Sequence, residues 1–216
     1  MKGAADPSGL DAFTDPAVRL VAQRMGMWLF LATEAMIFAA IFLVVLVVRL
    51  MHPDGAAATA SHLSPWIGAG NTLLLLSSSL LVAIAVAAAH HAPPLRRAAV
   101  AGFALAALFG LVFLAVKLGL EYRKEWSEGL FPGSPAPFPT ATPGAELFFN
   151  LYLAATGLHA VHVLIGVCVL GGAAAGCAGG ALKLPEDAPE VEFCGLYWHL
   201  VDIVWVFLFP VLYLVQ

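Results

Sequence analysis

Five times along this chain, a stretch long enough to cross a lipid bilayer passes with at most one charged side chain in it. A hydrocarbon core about 30 Å thick asks for roughly 20 apolar residues in each spanning helix. Gly26–Val48 carries the single charge Glu34, Ile67–Ala89 and Ala98–Val116 carry none, and Phe193–Val215 carries only Asp202. Leu147–Leu182 is also uncharged, but it is too long for one straight span and its tail is rich in glycine (Gly171, Gly172, Gly176, Gly179, Gly180). The expected fold class is therefore all-α, a polytopic membrane protein built as a bundle of five transmembrane helices. Their expected positions are about 22–50, 66–90, 96–122, 145–173 and 193–215, behind a polar N-terminal tail at 1–18.

Composition excludes the soluble alternatives. Hydrophobic residues make up 61% of the chain and charged residues 11%, against about 45–50% and about 25% in soluble domains. That leaves too little polar surface for a soluble enzyme, a nucleic-acid binder or a disordered linker. Ten Lys and Arg against fourteen Asp and Glu give a net charge of −4, the wrong sign for reading a phosphate backbone, so nucleic acid is not an expected partner. Cys168, Cys177 and Cys194 lack CxxC spacing and read as small buried hydrophobes.

The connections carry breakers. His52-Pro53-Asp54-Gly55 is a turn signal, and His90-His91-Ala92-Pro93-Pro94 closes the second helix. Five prolines (132, 135, 137, 139, 143) predict an extended, non-helical loop between Ser127 and Gly144. With the N-terminus cytoplasmic, six Lys/Arg residues (Lys2, Arg19, Arg24, Arg96, Arg97, Lys183) lie inside and four (Arg49, Lys117, Arg123, Lys124) outside. This bias orients the bundle with its C-terminus outward.

Ionisable groups inside a membrane helix cost about 2.5–3.5 kcal/mol each on insertion scales, so every one needs a reason. Glu34 is about 12 Å from the start of the first helix, too deep to reach the interface. It reads either as a proton-exchanging or lipid-contacting acid, or as a helix–helix hydrogen bond from a neutral carboxylic acid. His159 and His162 share one face of the fourth helix. They suit hydrogen bonds to neighbouring helices, with Glu34 a candidate partner, or ligation of a metal or haem with His199 facing them. His199 and Asp202 repeat the i, i+3 spacing and could satisfy each other, between Tyr197-Trp198 and Trp205. These aromatics would form an interfacial belt or pack against another helix. Asn71, Thr72 and Ser77-Ser78-Ser79 offer small polar contacts for helix packing. Lys117 and Glu121 form an i, i+4 pair near a helix end, where a lysine can snorkel to the interface. No P-loop, HExxH, GxSxG or inverted transporter repeat occurs.

Read in order, the apolar stretches resemble the subunit III family of haem-copper terminal oxidases. The resemblance is carried by Gly26-Met-Trp-Leu-Phe-Leu-Ala-Thr-Glu34-Ala-Met-Ile-Phe38, Gly70-Asn71-Thr72, His90-His91 and Lys117-Leu-Gly-Leu-Glu121-Tyr122. It continues through Thr156-Gly157-Leu-His159-Ala-Val-His162-Val-Leu-Ile-Gly166 and Tyr197-Trp198-His199-Leu-Val-Asp202-Ile-Val-Trp205-Val-Phe-Leu-Phe209. It covers about 24–215 and corresponds to the family's five-helix form, without the first two helices of the long form.

The resemblance implies an auxiliary subunit in a prokaryotic cytoplasmic membrane, with no catalytic, cofactor-binding or metal site of its own. Haem and copper would reside in partner subunits, and the chain would pack with subunits I and II. Cytochrome c or quinol would be met only through the complex. Glu34 matches the family's buried helix glutamate, and phospholipid sites remain open near Glu34, His159 and His162. Glu34 is expected to face the bundle near one of those histidines. Three other readings stand beside this one: a related protein associated with nitric oxide reductase, a haem-binding cytochrome using His159, His162 and His199, and a transporter coupled through Glu34 and Asp202.

Overall fold

The computed structural model describes residues 16–131 and 142–214. Most of the 1–18 tail and most of the proline-rich loop therefore lie outside the described residues. The helices are α1 (Pro16–Met51), α2 (Pro53–Ala60), α3 (Pro65–His90), α4 (Arg96–Val116), α5 (Arg123–Ser127), α6 (Ala145–Gly179) and α7 (Ala188–Tyr213). A π-helical segment, Lys117–Tyr122, joins α4 to α5 without a break. There is no strand among the described residues. Among the described residues, five helical stretches are long and apolar enough to cross a bilayer: Val18–Met51, Pro65–His90, Arg96–Ser127, Ala145–Gly179 and Ala188–Tyr213.

Two compact units divide at Ile37 and Phe38, inside α1. The first holds the N-terminal part of α1, whose Met25, Trp28, Leu29 and Met36 are exposed, as lipid-facing side chains are. In the second unit, α3, α4, α6 and α7 form a ring. α3 packs on α4 and α7, α6 packs on the same two helices, and α2 lies against α6. Neighbours in the ring run antiparallel, since Gly68 meets Phe209 and Tyr213 while Gly195 meets Val82 and Val86.

Close approach depends on small residues, because lipid provides no hydrophobic drive for helices to associate. A Cβ on Gly102 of α4 would lie 2.8 Å from the Ala85 Cβ and 2.9 Å from the Leu81 carbonyl oxygen of α3. One on Gly110 would meet Trp198 Cη2 at 2.6 Å, and one on Gly166 of α6 would meet Trp198 Cε3 at 2.7 Å. The Trp198 indole thus lies between two glycine faces, fully buried.

Several boundaries depart from the sequence expectation. α6 continues through the glycine-rich tail to Gly179, beyond the expected stop near 173. In lipid a backbone has no water to hydrogen-bond, so glycine breaks a helix far less readily there. Ala173, Ala174 and Cys177 also bury one face of this extension. Its end is closed by Gly180 at φ 79° and by Arg96, whose Nε donates to the Cys177 carbonyl and Nη2 to the Ala178 carbonyl at 3.1 Å. α7 starts at Ala188 rather than 193, with proline in its first turn where a missing N–H costs nothing. The His52-Pro53-Asp54-Gly55 turn signal instead opens α2, by the same use of proline at a helix start. Thr59 fastens α2 by donating to the Ala145 carbonyl at 2.9 Å.

Candidate functional site

Two polar assemblies lie inside the ring. The first joins α3 to α7. Trp198 Nε1 donates to Ser78 Oγ at 3.0 Å, and Ser78 Oγ donates onward to the Leu75 carbonyl at 2.6 Å. Trp205 Nε1 repeats the pattern two turns along, donating to Thr72 Oγ1 at 3.1 Å, which donates to the Gly68 carbonyl at 2.9 Å. Each hydroxyl thus serves an indole from α7 and a carbonyl of its own helix, leaving no donor stranded. Ser79 Oγ and His199 Nδ1 pair at 2.5 Å. Tyr197, Trp198 and Trp205 of α7 therefore pack inward rather than forming an interfacial belt, while Phe207 is exposed.

His199 and Asp202 do not satisfy each other as their spacing allowed. His199 turns to Ser79, while Asp202 is 2% exposed and neither carboxyl oxygen has a hydrogen-bond partner among the described residues. Asn71, 4% exposed, likewise leaves its Nδ2 without a partner.

His159 is fully buried, and neither ring nitrogen finds a hydrogen-bond partner among the described residues, contrary to the expected helix–helix bond. It stacks on Trp205 with centroids 5.1 Å apart and meets Phe113 and Phe38 edge-on at 5.7 and 6.4 Å. His162 Nδ1 pairs with the Leu158 carbonyl of its own helix at 2.8 Å, and its ring meets Phe38 at 5.0 Å. No three of His, Cys, Asp and Glu among the described residues are grouped as metal ligands would be. Glu34 lies in α1 of the first unit, partly buried.

The second assembly corrects the reading of Lys117. Far from snorkelling, Lys117 is fully buried, with Glu121 at 6% and Glu125 at 3% exposure beside it. Lys117 Nζ donates to Glu121 Oε2, to Tyr213 Oη at 2.5 Å and to Tyr152 Oη at 2.7 Å. Tyr152 Oη donates to Glu125 Oε1 and Tyr213 Oη to Glu121 Oε2, each at 2.7 Å. The ammonium also stands 4.6 Å from the Tyr152 ring centroid and 5.7 Å from that of Trp205. An ion pair at the surface is worth little. This one joins the π-helical segment and α5 to α6 and α7.

Local backbone makes the arrangement feasible. In an α-helix of 3.6 residues per turn, residues four apart drift by about 40°. A π turn holds more residues, so Lys117, Glu121 and Glu125 stay on the inward face. Sequence reasoning noted Lys117, Glu121 and Tyr122 but missed Glu125, Tyr152 and Tyr213. Spacing of 117, 121 and 125 was the available signal for Glu125; the two tyrosines lie on other helices. Tyr122, also a motif residue, pairs with Thr156 Oγ1 at 2.7 Å, tying the end of α4 to α6.

Comparison with known proteins agrees with a bundle of apolar helices. The family model described as Cytochrome c oxidase subunit III matches residues 12–216. A cytochrome c oxidase subunit 3 from Alkalihalophilus pseudofirmus is 30% identical over 216 residues, 99% of this chain and 98% of its own. A quinol oxidase subunit 3 from Bacillus spizizenii is 27% identical over 190 residues, 88% of this chain and 85% of its own. A heme-copper oxidase subunit I+III from Aeropyrum pernix is 28% identical over 198 residues, 89% of this chain but only 22% of that much longer protein. The chain is an integral membrane protein and a subunit of an oxidase complex, and it belongs to the cytochrome c oxidase subunit III family.

Proposed function

We propose that this chain is the non-catalytic subunit III of a proton-pumping haem-copper terminal oxidase, seated against subunit I and supporting its proton uptake and its stability during turnover. The observation that carries this reading is the Aeropyrum pernix relative, whose name joins subunits I and III. Two proteins fused in one organism are natural neighbours when separate in another. On this reading haem and copper belong to the partner subunits, with subunit II completing the complex. Cytochrome c or quinol reaches it only through them; relatives are named for both donors.

On this reading the chain sits in a prokaryotic cytoplasmic membrane, and its charge distribution supports a cytoplasmic N-terminus. With Lys117 withdrawn into the bundle, the Lys/Arg balance sharpens from six against four to six against three. Glu34, partly buried, is on this reading an acid open to lipid or proton exchange. Its infrared titration in wild type and His162→Ala tests whether it answers to that imidazole, and identical curves would remove the pairing.

The decisive experiment compares oxidase purified with and without this chain. The expected result is an unchanged initial rate of oxygen reduction followed by faster inactivation during turnover in the depleted enzyme. Equal lifetimes would refute the supporting role, and a stoichiometric Soret band from the isolated chain would refute its non-catalytic character.

A further inference from the structure

The buried assembly around Lys117 contains one ammonium and two carboxyl groups, and its hydrogen bonds can be followed atom by atom. All three Lys117 N–H donors are used, on Glu121 Oε2, Tyr152 Oη and Tyr213 Oη. Both phenol hydrogens are used too, on Glu125 Oε1 and Glu121 Oε2. Two acceptor atoms remain: Glu121 Oε1 and Glu125 Oε2, each buried and without a hydrogen-bond partner among the described residues. Fully ionised carboxylates would leave the assembly with one net negative charge in an apolar setting. Leu130 at 2% exposure and the rings of Phe131 and Phe149 cover the region, with Phe131 against Tyr122 at 5.9 Å and Phe149 at 6.5 Å. An uncompensated charge in such a place costs several kcal/mol, and taking up a proton removes it.

We propose that Glu121 and Glu125 form a binding site for one exchangeable proton, carried on the oxygens that the Lys117–Tyr152–Tyr213 framework leaves open. The groups facing this pair are Lys117 and Tyr122 on the same helix, Tyr152 from α6 and Tyr213 from α7. Beyond Glu125 lies Glu128, half-exposed and 3.7 Å from Lys124 Nζ at the surface. Glu128, one turn from Glu125, lies at the exposed end of this stretch. The proton adds to one carboxylate oxygen and is released from it, with no other bond made or broken. This inference goes beyond the supporting role proposed above and holds whichever electron donor the complex uses.

The test is pH-difference infrared spectroscopy of the intact complex containing the full chain. The expected result is a protonated-carboxyl C=O band that titrates in wild type and loses one carboxyl equivalent in Glu121→Gln or Glu125→Gln, while persisting in Glu34→Gln and Asp202→Asn. Tyr152→Phe keeps the ring but removes the donor to Glu125, so it should assemble and shift both the band and its titration. This variant decides the matter if the glutamine variants fail to assemble. Spectra unchanged in Tyr152→Phe would overturn the proposal. So would a titrating band lost only with Glu34 or Asp202, or a wild-type complex with no such band, as expected if the pair held a metal cation instead. Oxidase turnover is read separately and does not bear on these outcomes.

Discussion

Replacing Gly166 by alanine tests the packing of the ring where Trp198 lies between α4 and α6. The new Cβ would lie 2.7 Å from Trp198 Cε3 and 2.8 Å from Cζ3, where carbon atoms prefer about 3.5–4.0 Å. The indole must therefore withdraw by about 0.8 Å. It has nowhere to go, because its far edge lies so close to α4 that a Cβ on Gly110 would be 2.6 Å from it. Its Nε1 is also held by Ser78 at 3.0 Å. Overpacking of this kind costs about 1–3 kcal/mol, and loss of the Ser78 bond adds about 0.5–1.5. Alanine returns about 1 kcal/mol through its better helix propensity. The net destabilisation is about 1–3 kcal/mol, measured by equilibrium unfolding of the chain in mixed micelles with circular dichroism. In a Trp198→Phe background the same substitution should be nearly neutral, giving a coupling of more than about 1 kcal/mol in the double-mutant cycle. A loss below about 0.5 kcal/mol, or an equal loss in both backgrounds, would refute the pinned-indole reasoning.

Lys117→Met should destabilise the chain by about 3–5 kcal/mol and reduce its recovery in the purified complex, because Glu121 and two phenols lose their shared donor. Adding Glu121→Gln should restore much of that loss, as removal of both charges does in buried pairs; no recovery would point to shape rather than charge. Arg96→Ala should expose the Cys177 and Ala178 carbonyls and speed amide hydrogen exchange over the last turn of α6, with about 1 kcal/mol lost locally. Asp202→Asn should leave unfolding within about 1 kcal/mol of wild type or raise it, since neither oxygen has a partner to lose. A large destabilisation there would point to a hydrogen bond from Ser79.

Much of the fold was legible because lipid imposes a simple rule on sequence: long uncharged runs become helices. The same rule misplaced the end of α6, where glycines that would stop a helix in water do not stop one packed through Ala173, Ala174 and Cys177. The Trp198 and Trp205 contacts were half legible. Ser78 and Thr72 were visible as small polar groups, but which indole met which hydroxyl depends on the antiparallel register of α3 and α7. Lys117 shows where reading failed. An i, i+4 lysine–glutamate pair near a helix end has the same local pattern whether it faces water or a bundle. The deciding residues, Tyr152 and Tyr213, are 35 and 96 positions away. Asp202 was recognised as costly, yet its proposed partner His199 turned to Ser79 instead.

That separation along the chain has a consequence for biosynthesis. The ribosome completes the span through Ser127 before either phenol exists, so Lys117, Glu121 and Glu125 enter the membrane channel without the two hydroxyls that hold them in the finished bundle. Their insertion at that moment is unfavourable by several kcal/mol. The Lys117–Glu125 stretch should therefore seat fully only after α6 brings Tyr152 and α7 brings Tyr213. A chain truncated before Tyr213 should therefore leave the Lys117–Glu125 stretch open to quality-control proteases.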